Sequence, residues 1–83
     1  MTDVTVVMGA GGIGQAIARR ISSGRKILVA NRSQASADAA AKVLADAGFE
    51  TTAMQADISD RAMVQAVARK AQELGPIKAL VQA

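Results

Sequence analysis

The sequence predicts an α/β domain on a doubly wound parallel sheet, and three observations predict it. Short β-branched or aliphatic runs alternate with longer segments of helical period, in the order β-α-β-α-β-α-β. The connections are only a few residues long, and alternation of that kind gives parallel strands joined by right-handed crossovers. A glycine cluster, Gly9-Ala10-Gly11-Gly12-Ile13-Gly14, stands directly between the first strand and the first helix. The expected strand order is 3-2-1-4. It leaves a crevice between strands 1 and 4 at their carboxyl ends, facing the glycine turn.

Val4-Thr5-Val6-Val7-Met8 is a β-branched run that reads as a buried strand. From Ile13 the period changes. Ile13, Ala16, Ile17 and Ile21 share one helical face, Gln15, Arg19 and Ser22 fall elsewhere, and Gly24 provides the stop. Lys26-Ile27-Leu28-Val29-Ala30 is the second strand, and Ser33 is placed to cap a helix carrying Ala37, Ala40, Leu44 and Ala47 on one side. Gly48 ends that helix, with Phe49 positioned to fold back over the stop. Thr51 to Ala56 alternates and is more polar, as an outer strand would be. Ser59 or Asp60 can cap a third helix with the stripe Met63, Val67, Ala71 and Leu74, which Gly75-Pro76 terminates before a fourth strand from Lys78 to Gln82. The methionines Met8, Met54 and Met63 read as core filler.

Composition narrows the function classes. The chain has 83 residues, 51% of them hydrophobic, yet Phe49 is its one aromatic residue, and it has no Cys, His, Trp or Tyr. Disulfides and thiolate or imidazole metal sites are excluded by that inventory. No apolar run approaches the roughly 20 residues of a membrane helix, and Met1-Thr2-Asp3 lacks the basic start of a secretory signal, so a cytoplasmic protein with no membrane partner is expected. The net charge of +3, from ten Lys and Arg against seven Asp and Glu, is mild and scattered apart from Arg19-Arg20, Arg25-Lys26 and Arg69-Lys70. With no aromatic stacking surface, nucleic acid is not an expected partner.

The glycine cluster matches G-x-G-x-x-G in its diagnostic context, after a strand and opening a helix. Gly9 permits the tight turn, Gly11 lets a diphosphate approach the backbone, and Gly14 lets helix and strand pack closely. Amides at the helix start, with Gly12 and Ile13 among them, then point at the anion. At the end of strand 2, where an NAD site usually places Asp or Glu on the ribose 2′-hydroxyl, this chain has Asn31-Arg32-Ser33. A carboxylate there would repel a 2′-phosphate, whereas Arg32 could pair with it bidentately and Ser33 could donate to it, which favours NADP over NAD. A solvated Arg32 and a Ser33 that only caps its helix are the alternatives. Asp57 has two readings: an acceptor for the adenine amino group, or a turn residue bonding the amides of Ser59 and Asp60.

With these features in place, the whole chain resembles the short-chain dehydrogenase/reductase family, through "GAGGIGQAIA" after strand 1, "ANRS" after strand 2, "ADIS" after strand 3 and "ALVQA" opening strand 4. The resemblance implies a Rossmann-type fold, a nicotinamide dinucleotide as cofactor, and hydride transfer to or from an alcohol or carbonyl substrate. It also implies that Asp57 and Ile58 frame the adenine. The family's threonine-glycine loop has three residues between its first two glycines; here the loop is one shorter and Met8 replaces the threonine. The family's Tyr-x-x-x-Lys pair and serine lie beyond strand 4, so no catalytic residue is assigned here. Residues 1–83 are expected to be the amino-terminal portion of the nucleotide-binding domain, completed by a carboxyl-terminal half in an enzyme that forms homo-oligomers. A shikimate dehydrogenase-like NADP domain, which also carries "GAGG" and "NRS"-type stretches, and a non-catalytic dinucleotide-binding module are the competing readings.

Overall fold

The computed structural model describes residues 2–9, 16 and 24–82. Apart from Ala16, which is helical, the expected first helix, and with it Gly11, Gly12, Ile13 and Gly14, lies outside the described residues.

Among the described residues six elements follow one another: β1 (Val4–Met8), β2 (Lys26–Asn31), α1 (Gln34–Asp46), β3 (Glu50–Gln55), α2 (Arg61–Leu74) and β4 (Ile77–Gln82). The strands form one parallel sheet in the order β3-β2-β1-β4, as the sequence predicts. Four strand limits, on three strands, differ from expectation by one residue. Asn31 belongs to β2 because it pairs with Gln55, and β3 runs from Glu50 to Gln55 because Glu50 lies opposite Lys26, with their charged groups 3.7 Å apart. Ile77 opens β4 opposite Val4. In each case pairing with the neighbouring strand, rather than hydropathy, sets the limit.

The sheet carries a core on each face. Val7, Ile27, Val29 and Val81 pack with Ala37, Ala40 and Leu44 of α1 on one side. Val4, Val6, Met8, Leu28 and Ala30 pack with Ala56 and with Val67 and Ala71 of α2 on the other. Two-sided burial explains why β1 and β2 are continuous apolar runs rather than alternating ones. Ile27, Leu28 and Leu44 are fully enclosed, each worth about 1.5–3 kcal/mol of transfer free energy. The Thr5 hydroxyl is buried on the α1 side and has no hydrogen-bond partner among the described residues.

Caps define the helix limits. The Ser33 hydroxyl accepts from the Ser36 amide at 3.3 Å, and the Asp60 carboxylate accepts from the amides of Ala62 at 2.9 Å and Met63 at 3.3 Å. Asp60, not Ser59, is therefore the cap of α2. After α1, the Phe49 amide donates to the Leu44 carbonyl at 3.1 Å and its ring joins the α1 core, the fold-back expected of it. After α2, Gly75 has φ +153°, and a Cβ there would run into the Thr2 carbonyl oxygen. The close approach lets the Pro76 carbonyl accept from the Val4 amide at 2.8 Å, starting the β1–β4 ladder.

Candidate functional site

Because all four strands run the same way, the segments that follow β1, β2 and β3 emerge at one edge of the sheet. Gly9 follows β1, Arg32 and Ser33 follow β2, and Asp57 and Ile58 follow β3. Register lines them up, with Met8 beside Ala30 and Ala30 beside Met54. At roughly 5 Å per strand, these three segments step across about 10 Å of sheet edge. Ligands of open parallel sheets bind outside such carboxyl ends.

Gly9 is exposed, and its φ of +69° is one that side chains resist. Its amide donates to the Ala30 carbonyl at 2.9 Å, so the glycine turn leaves the sheet from a fixed point beside the end of β2.

Asn31, half-buried, closes the β2–β3 ladder: its carbonyl accepts from the Ala56 amide at 2.7 Å. Arg32 is exposed, and Ser33 caps α1, which has no acidic residue in its first turn. The cap uses a lone pair of the Ser33 oxygen, so the hydroxyl hydrogen is left to donate outward. The two roles considered for Ser33 are thus compatible. An exposed guanidinium, a hydroxyl and a helix amino terminus without carboxylates make this corner suited to an anion.

Both turn contacts of the Asp57 carboxylate go to Ser59. The Ser59 amide donates to Oδ1 at 2.9 Å and the Ser59 hydroxyl donates to the same oxygen at 2.7 Å, while the Asp60 amide takes the Asp57 main-chain carbonyl at 2.9 Å instead of the side chain. The hydroxyl bond from Ser59 first and then its amide bond hold the Asp57 carboxyl below the usual aspartate value against the opposing effect of desolvation, with the charge of Arg32 the smallest contribution. Oδ1 carries both bonds, so the turn role does not consume the second carboxylate oxygen, which keeps its lone pairs for another donor. Ile58 is exposed alongside.

Two residues at this edge escaped sequence reasoning. Gln55 donates from Nε2 to the Arg32 carbonyl at 3.0 Å, and the Asp57 amide donates to the Met63 sulfur at 3.4 Å, so Met63 is more than core filler. Neither residue type signals such a contact; strand register brings Gln55 there, and the first turn of α2 brings Met63.

The two larger concavities, of about 480 and 450 Å³, lie at the opposite edge. One is lined by Gln72, Gly75, Pro76 and Ile77, the other by residues that include Thr2, Gly24, Lys26 and Glu50. They adjoin the amino ends of the strands, away from the carboxyl edge where ligands of open parallel sheets bind, so although the second also carries Arg25, Gly48 and the paired Lys26 and Glu50, volume does not mark the site here. Among the described residues no group of three or more acidic side chains is placed to hold a metal ion. No described helix is long and apolar enough to cross a membrane.

Comparison with known proteins agrees with the fold of the sheet. Residues 3–83 match the model of the short chain dehydrogenase family. A short-chain dehydrogenase/reductase, bsc3, of Alternaria brassicicola is 40% identical over 76 residues, which cover 92% of this chain and 28% of that protein. A short-chain dehydrogenase/reductase from Burkholderia phymatum, solved in complex with NAD, is 35% identical with a TM-score of 0.76 over 88% of this chain and 27% of that one. A short-chain dehydrogenase from Rhodopseudomonas palustris shares the fold alone, at 22% identity, with a TM-score of 0.84 over 98% of this chain and 39% of that one. The chain therefore spans between about a quarter and two-fifths of the length of these relatives. A parallel 3-2-1-4 sheet with a glycine turn after its first strand, matched along nearly its whole length, makes this chain a member of the short-chain dehydrogenase family.

Proposed function

We propose that this chain is the cofactor-binding portion of an oxidoreductase that moves hydride between NADP(H) and an alcohol or carbonyl substrate. Gly9, Gly11, Gly12, Ile13 and Gly14 would hold the diphosphate, Asn31, Arg32 and Ser33 the adenosine ribose with its 2′-phosphate, and Asp57 and Ile58 the adenine. The bound nicotinamide would supply the hydride chemistry. The chain contains no tyrosine, so the proton for a carbonyl oxygen would come from groups outside these residues.

The observation that carries the NADP reading is the corner after β2. Arg32 is exposed there beside the Ser33 hydroxyl and a helix start free of acidic residues. The related Burkholderia phymatum protein was solved with NAD, which supports a nicotinamide dinucleotide as the class of ligand. The basic residue, in place of a ribose-binding carboxylate, is the reason to prefer the phosphorylated form.

Calorimetric titration with NADPH and NADH tests the assignment. NADPH should bind at least about tenfold more tightly, as expected for a charge-assisted bidentate pair. Arg32→Asp should reverse the order. Equal affinities in the unsubstituted protein would overturn the NADP assignment.

A further inference from the structure

Gln55 ends the edge strand β3 and is exposed, yet its side chain is committed to one partner far away in sequence. Its Nε2 donates at 3.0 Å to the carbonyl of Arg32, 23 residues earlier. Fixing an exposed glutamine costs rotamer freedom, so the bond is held only if the geometry favours it. Here the favourable geometry comes from register: Gln55 pairs with Asn31, the residue immediately before Arg32.

The link between β2 and α1 is short, and each of its residues is tied. The Asn31 carbonyl is held by the Ala56 amide at 2.7 Å, and the Ser33 hydroxyl by the Ser36 amide at 3.3 Å. Between them stands Arg32, whose carbonyl is held by Gln55. With that bond, the peptide plane entering Ser33 and the direction in which the Arg32 side chain leaves the backbone are both fixed. Without it, the Arg32–Ser33 peptide can turn, and the guanidinium must be ordered when a ligand arrives.

We propose that Gln55 is a positioning residue for cofactor choice, acting through the Arg32 backbone to hold the guanidinium where a ribose 2′-phosphate would be bound. The inference rests on the assignment of Arg32 to that phosphate. It makes Gln55 selective in effect: contacts to adenine and to the 5′-phosphate do not pass through the Arg32 carbonyl, whereas the 2′-phosphate contact does.

The test is calorimetric titration of the protein with 2′,5′-ADP and with 5′-AMP, in the unsubstituted form, in Gln55→Met, which keeps the length and removes the donor, and in Gln55→Ala. Loss of one neutral hydrogen bond predicts that the preference for 2′,5′-ADP falls by about two- to tenfold in both variants, while 5′-AMP affinity stays within about twofold. In an Arg32→Ala background, Gln55→Met should have no further effect on the ratio. If the unsubstituted protein prefers 2′,5′-ADP and both variants keep that preference, or lose affinity for the two ligands equally, the role of Gln55 is overturned while Arg32 keeps its own. No preference in the unsubstituted protein would overturn the Arg32 assignment itself, and this inference with it. Circular dichroism melts of each variant confirm that the folded protein is being titrated.

Discussion

Asp57 shows how one side chain can serve turn and site together. Its Oδ1 takes both the amide and the hydroxyl of Ser59, and these bonds, with Arg32 adding a weaker attraction, lower its pKa. A carboxyl whose pKa is lower folded than unfolded stabilises the fold above its unfolded value and loses that contribution as pH falls through its folded value. Urea melts of the protein and of Asp57→Asn should therefore differ most at neutral pH and converge as the pH drops below about 4. A gap that stays constant down to strong acid would contradict the bonding described. Gly75 is the second residue with a sharp expectation. Its φ is +153° and a Cβ would meet the Thr2 carbonyl, so Gly75→Ala should lower stability by about 2 kcal/mol or more in a denaturant melt. At this scale the sequence was informative where a residue type has few alternatives, as with Gly9 or Ser33. It was silent on Gln55 and Met63, whose contacts arise from strand register in the one case and from the seating of the first turn of α2 in the other, and not from residue type.

Element limits were legible to within a residue, and the departures have a common cause. Asn31 and Glu50 are polar, so hydropathy places them outside strands, but each lies opposite a residue of the adjoining strand and is drawn into the ladder. Asp60 caps α2 because Asp57 already holds the amide and hydroxyl of Ser59, leaving the next residue to meet the helix amides. The shift of register between β1 and β4, where Thr5 pairs with Ala79 after Val4 pairs with Ile77, leaves Lys78 between partners and could not be read from either strand alone. The two caps make a paired prediction. Asp60→Ala should cost about 1 kcal/mol of stability and leave the NADPH-to-NADH preference unchanged, since its bonds serve only α2. Ser33→Ala should reduce that preference as well, because its hydroxyl faces the proposed phosphate corner. Melts and titrations of both variants check the contrast.

For the whole molecule, the alternation of periods was enough to give the strand order and the face each described helix covers, because right-handed crossovers leave few ways to wind a parallel sheet. The shape of its uncovered margin was not legible. On the α2 side, Val6, Met8, Val64, Val67, Ala68, Ile77 and Leu80 line an apolar groove of about 150 Å³, and Leu80 at the sheet margin is 61% exposed. An edge strand with exposed large aliphatic side chains favours pairing with other chains. Sedimentation velocity should show association of the 83-residue chain that grows with concentration and is reduced by Leu80→Lys; a monomer at every concentration would show the margin to be inert. Burial of the same sheet margin leaves the carboxyl edge, and the site there, open.

The proposed function requires a dinucleotide to lie across the carboxyl ends of β1, β2 and β3. Amide chemical-shift mapping by NMR during titration with NADPH reads it directly. Shifts should concentrate at Gly9 and the glycine turn, at Arg32 and Ser33, and at Asp57 and Ile58. Shifts gathered instead around Thr2, Gly24 and Glu50 at the opposite edge, or none at all, would contradict it.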